Sequence, residues 1–183
     1  METSIAKVAK KSKAKLVTFR IEGGYLTQPR WSTTTRRGKT RGRLINVYAP
    51  EQLAEMSDAQ ISEAIITDLY EDAYKTQERE HIRFKGKDLA LGIESTLFVC
   101  PKCGEIGKLH SKEDRFYCDC GFSSVYDEYG YLTDAEGKTY TLTELDRMQQ
   151  QALKDRLENW KEDIPLFEDY VTSYRIGANH ELI

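Results

Sequence analysis

The sequence predicts an α+β fold: a front part of strands and helices, a small four-cysteine ribbon in the middle, and a long helix toward the C-terminal end. Three observations carry this prediction. Runs of β-forming residues alternate with glycine and proline punctuation across residues 15–50. All four cysteines of the 183 residues fall between positions 100 and 120, inside an aromatic, turn-rich stretch. Apolar residues recur at helical spacing over 57–77 and again over 143–161.

Each element follows from local chemistry. Residues 3–14 read as a short basic helix in which Ile5 and Val8 are the only large apolar side chains. Residues 15–21 (KLVTFRI) read as a strand, which Gly23 and Gly24 end. Residues 25–40 are loop-like, with Pro29, three consecutive threonines and Gly38. Residues 43–48 alternate as a second strand, closed by Pro50, which opens a helical turn through Met56. Ser57 with Gln60 three positions on forms a capping box for a helix to about Gln77. Residues 81–86 read as a short extended piece, and Leu97-Phe98-Val99 as a strand running into Cys100. Short aromatic runs at 116–117, 123–126, 129–132 and 139–140, separated by acidic and glycine turns, predict small antiparallel hairpins. Thr143 is the expected N-cap of the final long helix, which Pro165 would stop. The expected organisation is therefore 1–80, a ribbon with hairpins at 81–141, and helix plus tail at 142–183.

Composition excludes some classes. Charged residues make up 31% and hydrophobic residues 39%, and no run approaches the roughly 18 apolar residues a membrane-spanning helix needs. The basic N-terminus has no apolar run behind it, so no secretory signal is expected. The net charge of −3 hides an asymmetry. Residues 1–43 hold 12 Lys and Arg against 2 acidic residues, which points to an anionic partner near the front of the chain: phosphate, lipid headgroup or nucleic acid.

The cysteines read Cys100-Pro-Lys-Cys103-Gly and Cys118-Asp-Cys120-Gly, with 14 residues between the pairs. A tight paired cluster without a secretory signal reads as a metal site in a reducing compartment. Four thiolates make a closed tetrahedral shell, so the expected cofactor is a structural zinc ion on Cys100, Cys103, Cys118 and Cys120, with no open position for substrate. Thiolates also accept iron. The second pair is Cys-x-Cys, shorter than the usual spacing. His110 lies between the pairs and is expected to be solvated, since four sulfurs already fill the shell. The ribbon's lysines and arginines are matched by acids, so a nucleic-acid face is less expected there.

Outside the ribbon, Arg36-Arg37-Gly38-Lys39 is the best anion candidate. Guanidinium forks suit a phosphate monoester, and glycine permits close approach. Taken in order, a strand at 15–21, Gly23 or Gly24, a loop, this basic run, a strand at 43–48 and the phrase Glu51 to Ser57 resemble the later part of bacterial lysophosphatidate (1-acylglycerol-3-phosphate) acyltransferases. A subgroup of that family also carries a CPKCG-type ribbon and an aromatic hairpin. The resemblance covers about residues 5–78. It implies a partial α/β acyltransferase-like segment in which Arg36, Arg37 and Lys39 bear the phosphate of lysophosphatidate or of an anionic phospholipid headgroup. It implies a cytoplasmic location, peripheral at the inner membrane face.

The family's catalytic His-x-x-x-x-Asp is absent. His81 is followed five positions later by Gly86, His110 reaches Asp114 one position early, and His180 lies three residues from the end. The family's Glu-Gly-Thr/Ser-Arg motif is absent too, and Thr18 stands where its core strand usually has proline. The chain is thus expected to hold no catalytic residue and to transfer no acyl group unless a missing N-terminal half supplies them. A free-standing derivative that binds headgroups or a partner is the second expectation. A non-enzymatic zinc-ribbon module binding nucleic acid or protein is the third.

Overall fold

The computed structural model describes residues 4–161 together with Pro165, Thr172 and Ser173; the rest of the tail expected at 166–183 lies outside the described residues. The chain is mixed α+β and ends, among the described residues, in a long helix. No described helix is long and apolar enough to cross a membrane.

Helix α1 (Ser4–Ser12) lays Ala6 against Leu53, Ile61 and Ile65, a small front core. Lys10 closes this contact by donating from Nζ to the Met56 carbonyl at 2.7 Å. Strands β1 (Leu16–Glu22) and β2 (Arg41–Tyr48) pair antiparallel as an isolated two-stranded sheet. Between them lie a single helical turn, α2 (Gly24–Thr27), and the loop carrying the basic run. A bulge at Thr18/Phe19 shifts the register, so Phe19 faces Leu44 while Thr18 faces Asn46.

The polar side of this pair faces helix α4 (Asp58–Leu69), which follows the short α3 (Pro50–Glu55). Buried Asp68 accepts hydrogen bonds there from Thr18 Oγ1 at 2.8 Å, Asn46 Nδ2 at 2.7 Å and the Tyr48 hydroxyl at 2.7 Å. The apolar side carries Val17, Phe19, Ile21, Leu44 and Val47, all exposed. The expected capping box at Ser57 is present, with Gln60 N–H donating to Ser57 Oγ at 3.2 Å and Ser57 N–H to Gln60 Oε1 at 2.8 Å. The single helix expected over 57–77 is two. It breaks at Tyr70, which turns extended, and Asp72 starts α5 (Ala73–Glu80) by accepting from the N–H groups of Tyr74 and Lys75. The apolar period runs unbroken through this break, which is why spacing alone did not mark it.

A 3-10 turn at Ile93–Ser95 leads into the ribbon. Five strands follow as a meander in sequence order, all antiparallel: β3 (Leu109–Lys112), β4 (Arg115–Cys118), β5 (Ser123–Tyr126), β6 (Leu132–Asp134) and β7 (Thr139–Tyr140). The strand expected at 97–99 is reduced to one bridge, Val99 to Ile106. Helix α6 (Leu142–Glu158) is capped two residues earlier than expected, by Thr141, whose hydroxyl accepts from Glu144 N–H at 3.1 Å. Thr141 N–H in turn donates to the Glu144 carboxylate at 2.7 Å, so the T-x-x-E box starts at 141.

The main core draws residues from all three stretches of the chain. Trp31 and Tyr74 from the front, Ala90, Ile93 and Phe116 from the middle, and Leu142 and Leu145 from α6 form one buried cluster. Tyr74 links all three parts: its hydroxyl donates to the Gly130 carbonyl and accepts from Leu142 N–H, both at 3.1 Å.

Candidate functional site

The two cysteine pairs sit on matched turns. At the first, Gly104 N–H donates to the Cys100 carbonyl at 2.9 Å with Gly104 at φ 73°, a left-handed value that glycine adopts freely. At the second, Gly121 N–H donates to the Cys118 carbonyl at 3.0 Å. Buried Cys100 and Cys118 belong to the main core, while Cys103 and Cys120 face outward. The Cys100 and Cys120 sulfurs lie 3.7 Å apart and the Cys103 and Cys118 sulfurs 3.8 Å apart. All four sulfurs fall within 4.8 Å of one another.

Those distances decide between readings. A disulfide needs about 2.05 Å between sulfurs. A tetrahedral ion with metal–sulfur bonds of about 2.3 Å sets its sulfurs about 3.8 Å apart. The cluster could therefore hold a metal ion, and the short Cys-x-Cys pair closes it as well as the longer one. Backbone N–H groups support the thiolates. Burial pushes the Cys100 thiol up to about 12, against the N–H groups of Cys103 and Lys102, which favour the thiolate. Cys120, outside the core, is held down at about 7, chiefly by the Phe122 N–H. A bound cation would favour all four thiolates over these opposing effects. His110 stays outside the set: it is exposed on β3, with Nε2 3.5 Å from an Asp119 carboxylate oxygen. Gln149 of α6 anchors the approach to Cys100, accepting from Phe98 N–H at 3.1 Å and donating to the Thr96 carbonyl at 2.9 Å.

The basic run is divided by the fold. Arg37 and Lys85 form a hydrogen-bonded antiparallel pair, exchanging N–H to carbonyl bonds of 2.7 and 2.9 Å. Arg36, on the opposite face, is 2% exposed. Its guanidinium stacks on Trp31 and Tyr126, with centroid distances of 5.0 and 4.8 Å. It donates to the Leu89 carbonyl at 2.7 Å and to the Tyr126 hydroxyl at 3.2 Å. The expectation that Arg36 bears a headgroup with Arg37 and Lys39 is thus corrected: one-residue alternation along an extended segment turns it into the core. Two glycines make room for that face. A Cβ on Gly38 would run into the Phe84 ring, and one on Gly86 would lie 2.9 Å from Leu89 and 3.1 Å from the Arg36 stem.

Arg37 and Lys39 remain exposed and are joined by exposed Arg83, Lys85 and Lys87. Sequence reasoning passed over these three, although the alternation of Arg83 and Lys85 within the segment expected to be extended at 81–86, with Lys87 next in the pattern, was the available signal. Arg83 pairs with Glu128. Arg37, Lys39, Lys85 and Lys87 have no carboxylate at ion-pairing distance among the described residues. The basic face and the cysteine cluster share no residue. No protein-family model, no curated protein and no solved structure matches the chain.

Proposed function

We propose that the chain supplies the C-terminal segment of a phospholipid acyltransferase, carrying acyl groups to lysophosphatidate when joined to a half that holds His-x-x-x-x-Asp. The observation that supports this reading is the β1–β2 pair. Two strands alone are marginal in water, and here their outward face is the apolar one, with Ile21 60%, Leu44 59% and Phe19 56% exposed. A strand pair that turns its polar face to its own helix and its apolar face to solvent suits a piece of a larger sheet. The rest of an acyltransferase domain is the occupant this reading assigns. The Gly23 turn, basic run, β2 and Pro50-initiated helix follow β1 in the order the resemblance requires. Zinc is the metal assigned to the four cysteines, in a structural role, because a four-thiolate shell leaves no open position for a substrate.

The test begins with the DNA upstream of this reading frame. A His-x-x-x-x-Asp element encoded there is joined to this chain, and the joined polypeptide is assayed for transfer from an acyl thioester to lysophosphatidate. Transfer by the joined protein and none by the chain alone is the expected result. An unrelated upstream gene, or a joined protein without transfer, overturns the reading.

A further inference from the structure

We propose that the outward face of the bridged segments Arg37–Lys39 and Arg83–Lys87 is a docking surface for the phosphates of an anionic lipid bilayer. It rests on the acyltransferase reading for its choice of lipid, and on the exposed cations of these two segments for everything else. Directly opposed residues of an antiparallel pair share a face, and so do residues two apart along a strand. The Arg37–Lys85 bridge puts these two on one face, and Lys39 and Arg83, two positions along, and Lys87, at the bend that follows, are exposed with them. The other face is sealed by Arg36 and Phe84, each 2% exposed.

The charges stand on a fixed backbone. Besides the two bonds of the Arg37–Lys85 pair, Phe84 N–H donates to the Glu128 carbonyl at 2.7 Å and Arg36 N–H to the Thr27 carbonyl at 2.8 Å. The nearby acids do not neutralise the face. Glu128 is taken by Arg83, and Asp88, beside Lys87, makes no ion pair. Four cations without an ion pair among the described residues, gathered around one strand bridge, match an extended field of phosphates better than a single one. Single-stranded nucleic acid would also want rings for its bases to stack on. Phe84 and Trp31 are buried, and exposed His81, near Arg83, is already stacked on Tyr129, with ring centroids 4.4 Å apart, so the face offers mainly charge.

The experiment is sedimentation of the whole, metal-loaded chain with phosphatidylcholine vesicles, with and without phosphatidylglycerol. Binding to the phosphatidylglycerol vesicles alone, weakening as salt rises, is expected. Lys85→Ala with Lys87→Ala should weaken it roughly 20- to 30-fold, at about five-fold per cation near an anionic surface. Lys108→Ala with Lys112→Ala, the same charge change on the ribbon, should leave it within about two-fold on the same scale. Circular dichroism melting checks that both pairs fold. Equal loss in both pairs, equal binding to neutral vesicles, or salt-sensitive retention on single-stranded DNA without vesicle binding would each overturn the proposal. None of these outcomes bears on acyl transfer by the joined protein, so the two readings fail separately.

Discussion

Tyr74→Phe tests whether the front, the ribbon and the final helix form one cooperative unit. The change keeps the ring in the core and removes only the hydroxyl. That hydroxyl donates to the Gly130 carbonyl and accepts from Leu142 N–H, both in buried surroundings. Leu142 opens α6, so its N–H has no partner inside the helix. The variant therefore strands one buried donor and one buried acceptor, each costing about 1–3 kcal/mol. A combined loss of about 3 kcal/mol lowers the melting temperature by roughly 6–12 °C in a chain of this size. The assay is thermal melting followed both by far-ultraviolet circular dichroism and by tryptophan fluorescence, since Trp31 lies in the main core. The two probes should move together. A shift below about 1 °C, or a front part that melts independently of the ribbon, would refute the claim that the three share a core.

Three further outcomes follow from the same geometry. The purified chain should carry one zinc per molecule, and chelation should lower its melting temperature by more than Tyr74→Phe does, because Cys100 and Cys118 lie in the main core; metal content by mass spectrometry and melting with chelator check this, and melting unchanged after chelation would remove the metal from the structural account. Arg36→Ala should destabilise by about 3 kcal/mol or more through lost stacking and an emptied site, measured by urea unfolding, while the folded fraction keeps its anion binding. Burial raises the Asp68 carboxyl, but the bonds from Tyr48, Thr18 and Asn46 and the charge of Arg20 outweigh it and hold it below the usual carboxylate range. Its contribution is therefore full above roughly pH 4 and is lost as pH falls through the lowered folded value; Asp68→Asn should be less stable at neutral pH and lose less than the parent on acidification, and parallel acid limbs in urea titrations would count against it.

The parts of this chain that were legible in its sequence are those where one local rule acts alone. The Ser57–Gln60 box reads directly because capping is a contact between residues three apart. The cysteine cluster reads directly because two closely spaced cysteine pairs are suited to a common metal ion, and the four sulfurs converge to where they could hold one. The Thr141 cap was misplaced by two residues because Thr143 offers the same side chain, and only the position of Glu144 tells them apart. The break at Tyr70 was hidden because α4 and α5 keep one apolar period while the backbone between them turns to place Asp72. The shared core was illegible for a different reason. Trp31, Tyr74 and Leu142 are brought together by contacts between distant positions, and no window of neighbouring residues contains that information.

Arg36 shows how the same alternation both misleads and informs. Read as a run, Arg36-Arg37-Gly38-Lys39 is one basic cluster. Folded as an extended segment, it is two faces in alternation, one buried and one exposed. Arg36 and Gly38 face the core, where the guanidinium lies against two rings and the missing Cβ admits a third. Arg37 and Lys39 face outward and meet Lys85 and Lys87 from a segment more than 40 positions away in the chain. A buried cation without a carboxylate partner is expensive to hold, and arginine is the side chain best able to bear it, by spreading its charge over stacked rings and a carbonyl. Arg36 anchors the inner face, so in the proposed anion binding its part would be exerted through position and not through contact. Loss of Arg36 should then appear as a smaller folded population with unchanged affinity, whereas loss of Lys85 and Lys87 should appear as unchanged folding with weaker binding.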